Sequence, residues 1–300
     1  MRLFSKTLVA ASIAVLASMS ASAAPLTWRY NWAAADAAVG AVNTRPLSNL
    51  TNEVKFTAES VIRFNDLDSS GGISIGDTFV DYIVVRVDQL FIGGGNNGET
   101  GAGYGTAREI TLTAQLTGSQ VAANTYMFTS GGIFNFFYDS GLAFTPADFG
   151  ALSTFRDSNG APGVVVEQGS LVPPSGGTNN VPNLPDGTIN VQMALLDSIL
   201  PGGFEVNANG STIFGFKLGI ADGNSHVCTD TPGGTALCAS TTASIESFFG
   251  APALAAGQFQ FHSRSDGSMT KQLTIPEPSS MALVGAALLG LGVIGRRRKS

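Results

Sequence analysis

The sequence predicts an all-β protein with a β-sandwich or jelly-roll-like body, and its composition and patterning are the basis for this prediction. Charged residues make up only 13% of the 300 residues, about half of the share typical of soluble domains. The chain contains 37 Gly and 19 Phe, a bias that favours strands and turns over helices. Its apolar content of 44% is enough to build a core, which argues against an intrinsically disordered chain.

Candidate strands are short apolar runs bounded by Gly, Asn, Ser and Pro. Between residues 109 and 116, Ile110 and Leu112 face one side while Thr111 and Thr113 face the other, which is the period of a half-buried strand. The candidate strands are residues 53–64, 78–92, 108–117, 125–130, 134–139, 163–167, 188–196, 212–220, 258–262 and 269–275.

Long turn-rich stretches separate these runs. Residues 93–105, 173–187 and 222–234 predict exposed loops, and residues 148–152 and 191–199 predict short helices. Residues 173–185 are the best candidate for an internal domain boundary, with a loop inside a single sandwich as the alternative.

The N-terminus has the pattern of a secretory signal peptide. Arg2 and Lys6 precede an apolar stretch at residues 8–17, and Ala21 and Ala23 satisfy the A-x-A cleavage rule. We therefore expect residues 1–23 to be removed, with an uncleaved anchor as the alternative. The body then spans residues 24–275.

Residues 276–300 have the pattern of a membrane-targeting tail. Pro276, Glu277 and Pro278 precede an uncharged apolar run at residues 281–295. Counted from Ser279 to Gly295, the segment has 17 residues, which predicts one transmembrane helix near the shortest length that spans a bilayer. The chain then ends in four adjacent cations followed by a serine. The cations are Arg296, Arg297, Arg298 and Lys299. Since such a cluster stays in the cytoplasm, the body is expected to lie outside the membrane.

This tail resembles the PEP-CTERM sorting domain in its tripeptide, its short apolar span and its terminal basic cluster, in that order. The resemblance implies that an exosortase, a membrane-embedded cysteine transpeptidase of Gram-negative bacteria, processes the chain near Pro-Glu-Pro. It also implies delivery to the cell surface or the polysaccharide matrix. An ordinary single-span anchor is the alternative.

The first half of the body resembles the flocculation-associated branch of PEP-CTERM proteins. The similar segments are residues 76–79, 112–118 and 128–139. They are strand patterns and not catalytic signatures. The resemblance implies a role in cell aggregation that depends on extracellular polymer, and it assigns no functional residue.

The body is acidic. It carries 21 acidic and 10 basic residues, a balance that repels phosphate backbones, so we expect no nucleic-acid partner. Divalent cations and exopolysaccharide are the expected partners instead.

The acidic motif of residues 66–77 matches a calcium loop in several positions. Asp66, Asp68 and Ser70 stand at positions 1, 3 and 5, Gly72 offers its carbonyl oxygen, and Asp77 stands at position 12. The flanking segments are strands and not the two helices of an EF-hand. The sequence therefore predicts a calcium-binding β-loop, with a solvated turn as the alternative.

Cys228 and Cys238 are the only two cysteines. In an exported chain such a pair predicts one disulfide that closes a small loop.

Two common catalytic motifs are missing from the sequence. It contains no H-E-x-x-H and no C-x-x-C, and we expect a non-enzymatic surface or matrix protein that promotes biofilm or floc cohesion. A secreted carbohydrate-binding module and a carboxylate-dependent hydrolase are the alternatives. For the binding module, Trp28 and Trp32 lie near the mature N-terminus rather than on a clear sheet platform.

Overall fold

The computed structural model describes residues 26–42, 46–99, 108–129, 131–140, 163–180, 186–195, 199–213, 216–227 and 237–274. The predicted signal peptide and the predicted C-terminal helix lie outside these ranges. Within the ranges, no helix combines the length and the apolar character needed to cross a membrane. Pro25–Gln272 forms one compact unit.

This unit is built mainly from strands. The strands are β1 Arg29–Tyr30, β2 Glu53–Asn65, β3 Thr78–Ile92, β4 Gly95–Asn96, β5 Glu109–Ala122, β6 Thr125–Phe128, β7 Ile133–Asp139, β8 Val164–Asn179, β9 Gly187–Leu195, β10 Glu205–Val206, β11 Phe216–Val227 and β12 Gln258–Thr274. The helices are α1 Trp32–Ala38 and α2 Leu237–Phe249.

The main sheet closes on itself. β3 pairs with β2 on one side and with β5 on the other, and β12 lies between β2 and β11. From β11 the order continues through β9 to β8. Two shorter strands, β6 and β7, lie one after the other between β5 and β8. Each of them pairs with β5 on one side and with β8 on the other. The all-β, sandwich-like prediction is confirmed, and the closure leaves these long strands with neighbours on both sides.

The inner face of the closed sheet forms an apolar core. Val54, Ala58 and Ile62 alternate along β2, and Phe79 and Ile83 alternate along β3, all on the inner side and less than a tenth exposed. This is the period-two pattern that predicted the strands.

An N-terminal segment covers one end of the sheet. Trp28 and Trp32 are both 0% exposed, and the Tyr30 ring stacks on Trp32 with centroids 5.2 Å apart. Phe204 lies just before β10, and its ring centroid is 5.0 Å from that of Tyr30. The two tryptophans therefore belong to a buried aromatic cluster and offer no exposed sugar-stacking platform.

Helix α2 packs on the outer face of β2 and β3. Ile245 is 0% exposed and forms a core cluster with Val61 and Val84. Glu59 on the same face of β2 is also buried, and its Oε2 lies 2.6 Å from Nε2 of His262 on the neighbouring strand β12. The outer face of β2 therefore carries both apolar and ionisable residues that are buried.

Several predicted boundaries are wrong. Residues 191–195 form the end of β9 and not a helix, because the strand pairs with both β8 and β11. Residues 173–179 and 222–227 belong to β8 and β11 and not to loops. The candidates at 258–262 and 269–275 belong to one strand, β12. Its polar middle alternates between the two faces, with Arg264 beside Glu59 on the outer face and Ser265 in the lining of the inner cavity. The proposed helix at 148–152 lies outside the described residues.

Candidate functional site

The predicted sorting residues follow the last residue that the structure describes. β12 ends at Thr274, and Pro276, Glu277, Pro278 and the four terminal cations lie outside the described residues.

The acidic loop connects β2 to β3 and brings three carboxylates together. One oxygen each from Asp66, Asp68 and Asp77 lies within 4.8 Å of the other two. Ca²⁺ binds oxygens at about 2.3–2.6 Å, so two ligands on opposite sides of the ion stand about 4.6–5.2 Å apart. The three carboxylates are therefore spaced as ligands of one Ca²⁺ would be.

Hydrogen bonds inside the loop orient these carboxylates. Asp66 Oδ1 accepts from the Ser70 N–H at 3.0 Å, and Asp66 Oδ2 accepts from the Gly71 N–H at 2.8 Å. Asp77 is 1% exposed and accepts from the N–H groups of Leu67 and Ser74. Each carboxylate oxygen has two lone pairs, so these bonds leave capacity for a cation.

The rest of the loop has the chemistry of a hard-cation site. Ser70 Oγ and the carbonyl oxygen of Gly72 lie 3.0 Å apart, and both are oxygen ligands of the kind that Ca²⁺ prefers. Gly71, at the sixth loop position, has a φ of 76°, a left-handed conformation that suits glycine. Hydrogen bonds from the side chains of Ser74 and Ser70 lower the pKa of Asp68 and favour its ionised form.

Strands flank the acidic loop on both sides. An EF-hand has two flanking helices instead, so the arrangement differs from an EF-hand as the sequence predicts. It also differs at the twelfth loop position, where Asp77 stands in place of the bidentate Glu of an EF-hand. The five predicted ligand residues are nevertheless adjacent in one connection, and they could hold Ca²⁺ without rearrangement of the strands.

Cys238 lies in the first turn of α2 and is disulfide-bonded. The only other cysteine, Cys228, lies outside the described residues. The carbonyl oxygen of Cys238 also lies 3.0 Å from His262 Nδ1, which connects the start of α2 to β12.

An open groove on the outer face of the sheet was not predicted from the sequence. It has a volume of about 1100 Å³ and is lined by β2, β3, β6, β8, β9, β11 and β12. Its walls carry hydroxyl, amide and carboxylate groups. These groups belong to outward-facing side chains, which alternate along each strand with the inward-facing residues of the apolar core. Period-two patterning assigns such residues to the outer face, but only the folded sheet shows that this part of the face is concave.

Polar side chains in the groove form a set of hydrogen-bonded pairs. Asn190 on β9 donates to Asp222 on β11. Thr178 and Thr188 place their hydroxyl oxygens 2.9 Å apart. Such preoriented donors and acceptors can bind the hydroxyl groups of a sugar chain.

Three carboxylates line the groove. Asp88 accepts a 2.6 Å hydrogen bond from Thr57 and pairs with Arg86. Asp266 on β12 stands opposite Thr57 in the strand pairing, and Asp222 lines the groove on the neighbouring strand β11. Carboxylates at these positions can accept hydrogen bonds from sugar hydroxyls or bind cations that bridge to an anionic polymer.

Comparison with known proteins gives one match. The model of the PEP-CTERM protein-sorting motif matches residues 274–299. The comparison with curated proteins and the comparison with solved structures each return no match.

Proposed function

We propose that this PEP-CTERM domain-containing protein is a non-enzymatic component of the cell surface or extracellular matrix of a Gram-negative bacterium, where it promotes biofilm or floc cohesion by binding exopolysaccharide. The motif at residues 274–299 marks the chain for export and for exosortase-dependent sorting to the cell surface. The binding of exopolysaccharide by the body and its role in cohesion are the proposed part.

The outer groove is the observation that supports polymer binding. A polysaccharide must enter a site from the side, because its ends are remote, and an open groove of about 1100 Å³ allows this. The lining is rich in hydroxyl, amide and carboxylate groups, which match the hydroxyl groups of sugars. The two aromatic residues of the lining, Phe56 and Tyr126, also line the inner cavity, so the outward-facing polar side chains carry the proposed contacts.

The acidic loop supports a second contact with the matrix. Asp66, Asp68 and Asp77 are spaced as Ca²⁺ ligands, and Asp68 is exposed to solvent. A cation held there can stabilise the loop and also bridge to an anionic polymer. Calcium is thus the proposed cofactor, and the acidity of the whole body favours it.

The sorting step is tested by changing the Pro-Glu-Pro residues. The full chain and its Pro276→Ala/Glu277→Ala/Pro278→Ala variant are expressed in a floc-forming host with and without its exosortase. We expect the wild-type chain to reach the surface without its basic tail only when exosortase is present. Mass spectrometry of the C-terminus reads this out, and surface material that retains Arg296–Ser300 would contradict processing.

The polymer-binding step is tested in the groove. The surface-released protein is run through gels that contain the polysaccharide secreted by the host, and retardation gives the affinity. We expect Asn190→Ala/Asp222→Ala to weaken binding by about tenfold or more, since at least one hydrogen bond to a charged group is lost. Asn135→Ala is the matched control, because Asn135 is an outward-facing strand residue that bonds Gln168 away from the groove.

Three outcomes separate the parts of the proposal. Equal retardation of the groove variant and the control would show that the groove does not bind the polymer. Loss of retardation with unchanged cell aggregation would keep the binding site but remove the cohesive role. Release of reducing sugar ends during incubation would contradict the non-enzymatic assignment.

A further inference from the structure

The inside of the closed sheet contains a cavity that the proposed function does not use. Its volume is about 100 Å³, and its walls are mainly apolar. Phenylalanine rings form much of the lining, including Phe64, Phe79 and Phe136, each less than a twentieth exposed. An apolar cavity of this kind stays dry unless polar groups in its walls can hold water.

Two polar side chains interrupt the apolar lining. Asp81 on β3 is 4% exposed and Gln120 on β5 is 2% exposed, and both line the cavity. Neither Asp81 Oδ1 nor Gln120 Oε1 has a hydrogen-bond partner among the described residues. The amide nitrogen of Gln120 is engaged, since it donates to the carbonyl oxygens of Ala122 and Ala123 at 2.8 and 3.1 Å.

An unpartnered buried acceptor costs on the order of 1–3 kcal/mol. Sequences that fill a core normally avoid this cost by placing an apolar residue at such a position, and every other inward-facing residue of β3 between Phe79 and Val87 is apolar. A bound molecule that donates a hydrogen bond would remove the cost at Asp81. This gives the carboxyl group a physical reason to be there.

We propose that the cavity binds a small apolar alcohol, with its hydroxyl group on Asp81 Oδ1 and its hydrocarbon part among the phenylalanine rings. The cavity has about two thirds of the volume of apolar cavities of about 150 Å³ that bind benzene, which limits the ligand to roughly four non-hydrogen atoms. Gln120 Oε1 offers a second acceptor for a ligand with another donor.

A hydroxyl group fits this site better than other donors do. Burial raises the pKa of Asp81 to about 7, an effect partly offset by a hydrogen bond from Ser60, so both the carboxylate and the carboxylic acid are populated near neutral pH. A hydroxyl group can donate to the first and accept from the second. An ammonium group can only donate, and it would have to leave water to enter an apolar cavity.

Methionine methyl groups report on the cavity directly. Met193 and Met269 line it and are 2% and 4% exposed, while Met127 is 39% exposed on β6. The full chain, labelled at the methionine methyl groups and held in lipid nanodiscs, is titrated with 1-propanol and separately with propane. We expect saturable shifts of the Met193 and Met269 signals and a constant Met127 signal.

Two variants separate hydroxyl recognition from filling of apolar space. Asp81→Leu removes the acceptor and, since it also removes a buried polar group, should leave the fold intact. Because leucine is larger than aspartate, the affinities are compared as a ratio, and we expect the variant to weaken 1-propanol binding about tenfold more than propane binding. Asp81→Asn keeps a carbonyl acceptor of the same size and should bind 1-propanol almost as the wild type does.

Two results would contradict the proposal. If the Met193 and Met269 signals do not shift, or shift only in parallel with the Met127 signal, the cavity holds water or nothing and the proposal fails. If Asp81→Leu binds 1-propanol and propane in the same ratio as the wild type, the cavity takes up apolar molecules without recognising a hydroxyl group, and the role of Asp81 is wrong.

Discussion

The ammonium group of Lys271 is completely buried and donates a hydrogen bond to the carboxylate of Glu205. A second carboxylate, that of Glu167, lies 3.2 Å from the same Nζ atom, and the ring of Trp28 lies 5.3 Å away. Burial alone would lower the pKa of Lys271, but the two carboxylates outweigh it and the pKa is raised. One cation thus joins β12, β8 and β10 just before the sorting segment.

Replacing Lys271 by Met should destabilise the protein strongly. The change leaves two carboxylates buried without their cation, and breaking a buried pair from one side typically costs about 3–5 kcal/mol. Urea denaturation of the surface-released protein measures the loss. Lys55→Met is the matched control, because Lys55 pairs with Glu53 at the surface with 41% of its side chain exposed, and such pairs contribute about 1 kcal/mol or less. Similar losses in both variants would mean that burial does not decide the value of the Lys271 pair.

Asp81 should make the stability of the protein depend on pH. Its pKa is raised from 3.8 to about 7 in the folded state, so the folded protein binds the proton more tightly than the unfolded chain. The free energy of unfolding is therefore highest below pH 4 as far as this group is concerned. It falls as the pH rises through 7, by a total on the order of 4 kcal/mol.

The comparison of wild type with Asp81→Asn isolates this effect. Urea denaturation between pH 4 and pH 9 should show a difference in unfolding free energy that grows in favour of the variant toward high pH. Asp88→Asn, on the same strand but on the outer face, controls for the loss of one negative charge. A constant difference between wild type and Asp81→Asn across this range would show that the carboxyl group is not held in its protonated form.

Much of the strand pattern could be predicted from the sequence. β3 begins at Thr78 and ends at Ile92 as predicted, because a long apolar-rich run with turn residues on both sides marks its limits. β2 differs by one residue, Asn65. Alternation identifies a face, however, and not the partner of a strand, so the closure of the sheet through β3 and β5 could not be predicted.

Buried polar residues were the least predictable part. Asp81 and Glu59 both stand in strand patterns where a charged residue normally marks the solvent face. Asp81 faces the inside of the closed sheet, and Glu59 faces outward but is buried against His262 and Arg264 of the neighbouring strand β12. Helix α2 was itself missed, since its sequence contains Ser and Thr where strong helix formers would have made it recognisable. The clustering of Asp66, Asp68 and Asp77 was predictable because these residues lie within twelve consecutive positions.

The disulfide of Cys238 should contribute to stability through the loop it closes. With Cys228 as its partner, as the sequence predicts, the loop is short and the expected contribution is about 2–3 kcal/mol. We expect Cys228→Ser/Cys238→Ser to lower the free energy of unfolding by this amount, and reduction of the wild type with dithiothreitol to have the same effect. The double variant should not respond to dithiothreitol. Two free thiols in exported wild-type protein would contradict the pairing.

Calcium should stabilise the protein through the loop between β2 and β3. Three carboxylates within 4.8 Å of one another repel each other, and a bound cation removes that repulsion. Extracellular calcium modules commonly bind with dissociation constants of about 10⁻⁴–10⁻³ M, so about 10 mM Ca²⁺ would stabilise the folded state by roughly 1–3 kcal/mol. In a body of this size that corresponds to a rise in melting temperature of roughly 3–8 °C, measurable by calorimetry.

The variant Asp66→Asn/Asp68→Asn tests the site itself. Each amide retains one carbonyl oxygen. At position 68 it can accept the hydrogen bond from Ser70 N–H, and at position 66 it can accept one of the two bonds that Asp66 accepts from Ser70 and Gly71, so most of the hydrogen bonds in the turn remain while the charge that would bind Ca²⁺ is lost. We expect the melting temperature of this variant to be insensitive to Ca²⁺. Glu53→Gln/Asp88→Asn removes the same charge away from the loop and should respond as the wild type does. If the wild type gives no binding heat and no shift with Ca²⁺, the carboxylates serve only to form the turn, because hydrogen bonds to Asp66 and Asp77 are then sufficient to hold it.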